Sequence, residues 1–158
     1  MSQKGNTLTN KIIIDGADGF RERAGKHLFS SAPYVITKER IQEFCRSVGN
    51  DEWIHWDEER CRNSPLGALI MPAFMGPALS SKMYFDNVEF INLDGLFMGV
   101  DRIRLLQPVK AGDELIQIWH IDKVEDRDKG IAVFYDVEWQ IVGQEGPAGV
   151  ARYIIRYW

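Results

Sequence analysis

Pro72-Ala-Phe-Met-Gly-Pro-Ala-Leu-Ser-Ser-Lys-Met-Tyr-Phe85 is the stretch on which the reading of the fold turns. It opens on a proline, which suits a first helical turn, and it carries apolar side chains on most of its sides, with Lys82 as its one charge. A helix beginning at Pro72 is predicted, buried or nearly so, with Ile70-Met71 leading into it and Gly76-Pro77 as a point where it can bend. A helix that is apolar on most sides needs something to wrap it, and the sequence downstream supplies that.

After Gly95 the periodicity changes from helical to alternating. Leu96-Phe-Met-Gly-Val100 and Ile103-Arg-Leu-Leu106 read as strand, Pro108-Val-Lys-Ala-Gly-Asp113 as a turn, and Leu115-Ile-Gln-Ile-Trp-His-Ile121 as strand again. Asp126-Arg-Asp-Lys-Gly130 makes a hairpin connection. The next strand puts Ile131, Val133, Tyr135, Val137, Trp139 and Ile141 on one face and Ala132, Phe134, Asp136, Glu138 and Gln140 on the other, so one face is core. Gly143-Gln-Glu-Gly146 then turns the chain into Gly149-Val-Ala-Arg-Tyr-Ile-Ile-Arg-Tyr157. Helices followed by consecutive antiparallel strands predict a single α+β domain over residues 1–158, with a curved antiparallel sheet wrapped around the long helix.

Upstream, Thr37 can N-cap a helix whose Ile41, Phe44, Cys45 and Val48 recur at helical spacing, and Glu39 suits its positive start. Gly49-Asn50 ends it, since both residues tolerate the left-handed conformation. The polar turn after it, Asp51-Glu-Trp-Ile-His55-Trp-Asp57, delivers a histidine held between tryptophans and acids. Histidine is the residue type that exchanges a proton near neutral pH, which makes His55 the first candidate for chemistry. His27 and His120 have no such setting and keep the ordinary reading of structural or surface histidines. Trp53 and Trp56 read as packing residues at the mouth of a pocket. Asp57 can cap a short helix through Glu58-Glu-Arg-Cys61, and Asn63-Ser-Pro-Leu-Gly67 reads as a loop beyond it. Ile12-Ile-Ile14 is a short strand or an anchor for the polar residues 1–10, which are expected to be flexible.

The composition excludes several classes of function. With 158 residues, 45% of them hydrophobic, the chain can bury one sizeable core. A net charge of −4 offers no broad attraction to nucleic acid or to anionic membranes. Cys45 and Cys61 stand in no metal-ligand spacing and imply no disulfide framework, so they read as small buried hydrophobes in a reducing compartment. The amino terminus lacks a signal-peptide pattern, and no apolar run reaches the roughly 20 residues of a membrane helix, which gives a cytoplasmic expectation.

Taken together, these segments resemble the MaoC-like hydratase and dehydratase family of the hotdog fold, and within it the NodN-like branch, over about residues 30–157. The resemblance rests on Gly49-Asn50-Asp-Glu-Trp-Ile-His55-Trp-Asp57, on Leu66-Gly-Ala-Leu-Ile-Met-Pro-Ala73, on Ile103-Arg-Leu-Leu-Gln-Pro-Val-Lys-Ala-Gly-Asp-Glu114 and on Pro147-Ala-Gly-Val-Ala-Arg152. It implies a homodimer with pockets at the subunit interface, and an acyl thioester substrate bound to coenzyme A or to acyl carrier protein, with no cofactor and no metal. In the family, an aspartate and a histidine form an acid/base pair that adds or removes water across a 2-enoyl thioester, and a backbone N–H at the start of the hotdog helix stabilises the enolate oxygen. Here Asn50 stands at the aspartate position, Pro72 at that of the motif histidine and Ala73 at that of the motif glycine.

The resemblance therefore implies a site in which His55 is the proton shuttle, Asn50 an orienting group and the Ala73 N–H the enolate stabiliser, with Asp51, Trp53, Gly67, Ile70, Met71 and Phe74 as substrate-binding residues. Asn50 can donate a hydrogen bond but cannot take a proton. Three readings stay open: His55 acting alone in a less demanding reaction, Asp51 taking the carboxylate role, or a site that no longer catalyses. Arg102, Arg104 and Lys110 offer positive charge to a phosphopantetheine or carrier surface, against the ordinary reading of solvated cations. The expected function is a lyase-like or isomerase-like enzyme acting on an acyl thioester in a specialised acyl or polyketide pathway. The alternative is a non-catalytic acyl-binding or dimerisation partner.

Overall fold

Strict alternation of apolar and polar residues forces one face of a strand into a core, and the strand with the clearest alternation lies mid-sheet. The computed structural model describes residues 10–158, so the expectation for residues 1–10 falls, apart from Asn10, outside the described residues. In chain order the elements are β1 (Ile12–Asp15), α1 (Gly16–Arg21), β2 (Lys26–Ser30), β3 (Tyr34–Val35), α2 (Lys38–Val48), a 3-10 turn (Trp53–His55), α3 (Glu58–Arg62), α4 (Met75–Asn87), β4 (Val88–Ile91), β5 (Gly95–Leu105), β6 (Glu114–Asp126), β7 (Ile131–Ile141) and β8 (Pro147–Tyr157). The main sheet runs β2-β6-β7-β8-β5, with β3 also on β6, and every pairing in it is antiparallel. The six inward residues of β7, from Ile131 to Ile141, are each at most 3% exposed. On its other face Asp136 is exposed and takes a bidentate ion pair from Arg152 on β8.

Helix α4 lies against the inner face of this sheet. It is tied there by apolar contact and by hydroxyls: Ser80 bonds Tyr153 at 2.9 Å, and Tyr84 bonds Tyr135 and Tyr157 at 2.8 and 3.0 Å. Tyr135 and Tyr157 close the triangle at 2.9 Å. Three hydroxyls with three bonds can each donate once and accept once, so these polar groups are satisfied in the core. At its amino-terminal end, the Gly76 carbonyl accepts from the fully buried Gln117 side chain. The fold is a hotdog: an antiparallel sheet curved around a long helix.

The helix departs from the sequence reading in two ways. It begins at Met75 and not at Pro72, because the Pro72 carbonyl accepts from Met75 N in a tight turn, placing Ala73 and Phe74 ahead of the first helical residue. Its burial is one-sided. Phe74 and Phe85 are 72% and 58% exposed, since the sheet covers only one flank of the helix. Leu96, Phe97, Met98, Leu105 and Leu106, on and just after the edge strand β5, extend this apolar exposure. Gly76-Pro77 falls in the first turn, where proline costs no helical hydrogen bond, and the helix runs on unbroken. Elements α1, β2, β3 and β4 add to those expected from sequence, and β1 finds its partner in β4, in parallel. Among the described residues no helix is long and apolar enough to cross a membrane.

Two measurements test this core. A Cβ on Gly149 would stand 2.5 Å from Trp139 Cε3 and 3.1 Å from the Arg104 carbonyl, so Gly149→Ala is expected to cost roughly 1–3 kcal/mol in urea denaturation. Burial pushes the Tyr153 and Tyr157 phenols up to about 12 and those of Tyr84 and Tyr135 well above the usual range. Folded values above the unfolded value mean that the unfolded chain ionises first. This stabilisation is complete below about pH 10 and is lost as pH rises toward the folded values. Tyrosinate absorbance from these four side chains is expected to appear only together with loss of circular dichroism; their ionisation in the intact fold would contradict this packing.

Candidate active site

Two chain segments converge where α4 begins. The first leaves α2, whose last turn is closed by Gly49 in the left-handed conformation, φ 70°, with Gly49 N bonded to Arg46 O and Asn50 N to Cys45 O. Both bonds follow the Schellman pattern, which fixes the direction in which Asn50 leaves the helix. At the other end of α2 the Thr37 hydroxyl accepts from Arg40 N. The Asn50 side-chain oxygen accepts from Glu52 N at 3.1 Å, and its carbonyl accepts from Trp56 Nε1 at 2.9 Å. One 3-10 turn comes next, closed by His55 N donating to Glu52 O at 3.1 Å, and Asp57 then caps α3 through Arg60 N.

The second segment, Leu69–Met71, is held in extended form by Val109–Ala111: Met71 N donates to Val109 O at 2.7 Å and Ala111 N to Leu69 O at 2.8 Å. Ile70 joins the two segments. Its N–H donates to Ile54 O at 3.1 Å, and its carbonyl lies 2.7 Å from His55 Nδ1. A carbonyl oxygen only accepts, so Nδ1 carries a proton, and in the neutral ring Nε2 is the nitrogen with the free lone pair. His55 is 4% exposed, which makes it a buried, oriented imidazole with one basic nitrogen.

His55 lines a cleft of about 470 Å³ together with Asn50, Ile70, Met71, Ala73 and Phe74. Phe44, Val48, Ile54 and Leu105 make the remaining wall largely apolar. Among the described residues the Ala73 N–H donates to no backbone group; Ala73 lies in the turn that leads into α4. Proline at 72 has no N–H to offer. The arrangement can hold a proton on one nitrogen of His55, take one on the other, and present a backbone donor to an oxyanion.

Three of the residues read as substrate-binding lie elsewhere. Asp51 is exposed and does not line the cleft. Trp53 faces a shallow surface hollow beside α3, under the Arg60 guanidinium 4.0 Å from its ring. Gly67, at φ +75°, borders a separate groove with Lys38 and Arg62. Arg102 lies on the other face of the sheet, beside Asp136 and Arg152. Sequence reasoning misses Glu52, which does line the cleft; its spacing of three residues from His55 is the signal that could have found it. A second apolar groove, of about 580 Å³, runs along α4 between Phe85, Phe97, Ile103 and Tyr153, and Phe74 borders it and the His55 cleft alike. Cys45 and Cys61 are buried, and burial raises both thiols, which leaves them unreactive. Among the described residues no cluster of His, Cys, Asp or Glu is arranged to hold a metal.

Comparison with known proteins adds four findings. A family profile described as FAS1-like, dehydratase domain region, matches residues 24–151. The chain is 30% identical over 139 residues to 3-hydroxyacyl-thioester dehydratase Z of Mycobacterium tuberculosis, covering 85% of this chain and 90% of that one. It is 29% identical over 136 residues to nodulation protein N of Rhizobium leguminosarum, covering 84% of each. Among solved structures, the MaoC-like dehydratase from Rhodospirillum rubrum superposes with a TM-score of 0.69 at 16% identity, over 85% of this chain and 92% of that one, a likeness of fold.

Proposed function

We propose, for a chain that belongs to the FAS1-like dehydratase-region family, that it removes water from, or adds water to, an acyl thioester carried on coenzyme A or on an acyl carrier protein, in a specialised acyl or polyketide pathway. One observation carries this reading: His55 is buried in a cleft with its Nδ1–H fixed by the Ile70 carbonyl, and Ala73, whose N–H has no backbone partner among the described residues, borders the same space. The free Nε2 takes the proton from the carbon next to the thioester carbonyl, and the Ala73 N–H stabilises the enolate oxygen that develops. Asn50 orients, since an amide can donate a hydrogen bond to substrate or water without accepting a proton. The apolar groove along α4 takes the acyl chain, which passes Phe74 on its way from the cleft.

The protein acts as a homodimer. Contiguous apolar side chains on an edge strand and an adjoining helix flank are the surface that a second copy covers, and an uncovered edge would invite aggregation. Light scattering is expected to give twice the 18.2-kDa chain mass, and Phe97→Glu is expected to shift the mass to that of one chain.

The reading is tested by mass-spectrometric assay against crotonyl and 3-hydroxyacyl thioesters on both carriers. Turnover by the wild type is expected, with His55→Ala lowering kcat/KM by about 10²- to 10⁴-fold. Binding of acyl thioesters without turnover of any of them would replace this reading with that of a non-catalytic acyl-binding subunit.

A further inference from the structure

We infer that Glu52 is the second catalytic residue of this site and supplies the carboxyl group that Asn50 cannot. The inference rests on the reading of the chain as an acyl-thioester dehydratase or hydratase. Moving water across a carbon–carbon bond needs two proton transfers at separate atoms, one at the carbon next to the carbonyl and one at the departing or arriving oxygen. His55 provides one. Of the residues that line the cleft, Glu52 and His55 are the two with ionisable side chains.

Their relation is set by the backbone. Glu52 and His55 are the two ends of one hydrogen-bonded turn, His55 N to Glu52 O at 3.1 Å, and both line the same cleft. Asp51, one residue earlier, is turned out of the cleft and is exposed. Asn50 takes part in this arrangement, because its side-chain oxygen accepts from the Glu52 N–H and so holds the main chain of the residue that can carry the proton. Neighbouring ionisable groups are otherwise engaged: Asp57 caps α3, and Arg104 donates to the Ile103 carbonyl. Glu52 is exposed in the single chain, so its carboxyl group exchanges protons with solvent between turnovers.

In the dehydration direction, His55 Nε2 takes the proton from C2. The electron pair of that C–H bond passes into the enolate, whose oxygen the Ala73 N–H stabilises, then returns to form the C2–C3 double bond as the C3–O bond breaks, and the Glu52 carboxyl group gives its proton to the leaving hydroxyl, which departs as water. The products are the 2-enoyl thioester, water, a protonated His55 and an ionised Glu52, and proton exchange with solvent resets both. Hydration is the same sequence reversed.

The experiment compares kcat and kcat/KM over pH for wild type, Glu52→Gln, Asn50→Asp and the double variant, using crotonyl and 3-hydroxybutyryl thioesters of coenzyme A, with circular dichroism to verify folding. Glu52→Gln is expected to lower kcat by about 10²- to 10⁴-fold and to leave a bell-shaped profile with a single limb. Asn50→Asp in the Glu52→Gln background is expected to regain activity and the lost limb, because it returns a carboxyl group to the same turn. Wild-type turnover that Glu52→Gln leaves within about threefold, with both limbs intact, would overturn the role of Glu52 and leave the function standing. No turnover by wild type or by Asn50→Asp would remove the functional reading itself, and this inference with it.

Discussion

Helix α4 must bury one flank in a curved sheet while the turn that leads into it, at Ala73 and Phe74, stays open to solvent, and the architecture is shaped by that double demand. Its docked flank is apolar enough to drive association, but apolar contact alone does not fix where a helix sits along a sheet. The hydroxyls do. Ser80 meets Tyr153, and Tyr84 meets Tyr135 and Tyr157, in a region where each unpaired polar group costs on the order of 1–3 kcal/mol. A helix shifted by one turn would leave several of these groups unpaired. The axial position of α4, and with it the location of the Ala73 N–H, is therefore specified by polar contacts in the core, well away from the cleft that depends on it.

A second constraint sits at Ile70, a residue whose side chain is ordinary and whose backbone is not. Its N–H and carbonyl are both spent on the turn that carries His55, and its flanking residues are spent on Val109–Ala111. The imidazole is thus oriented by main chain that is itself held on two sides. This is the kind of support that keeps a general base within tenths of an ångström of its working position. It also sets the tautomer, since a carbonyl partner leaves Nδ1 no choice but to donate.

Much of this is legible in the sequence because the signals are local. Thr37, Gly49 and Asp57 do in the structure what cap chemistry dictates, and the inward face of β7 is the alternating one. Strand β2 is hidden for a physical reason: a bulge between His27 and Phe29 places Leu28 and Phe29 both in the core, which destroys the alternation a reader looks for. The β1–β4 pair joins segments more than seventy residues apart, and no local pattern announces such a pairing. At the site, His55, Asn50, Ala73, Ile70, Met71 and Phe74 share one cleft, while Asp51, Trp53 and Gly67 fall outside it. The difference lies in how the chain enters the turn that carries His55: Glu52, in extended conformation at its start, borders the cleft while Asp51 does not, a distinction that adjacency in sequence does not reveal.

The edge strand links assembly to chemistry. Leu105, at the end of β5, lines the His55 cleft, and the same strand presents Leu96, Phe97 and Met98 outward. In the proposed homodimer, covering β5 narrows solvent access to a cleft whose walls are already mostly apolar. Excluding water there lowers the local dielectric, which strengthens the hydrogen bond from the Ala73 N–H to a developing oxyanion and raises the cost of leaving any charge unpaired. Dimerisation and proton transfer would then be coupled through Leu105 and Phe74, and a variant that keeps every polar residue of the cleft but uncovers β5 should lose rate without losing any catalytic group.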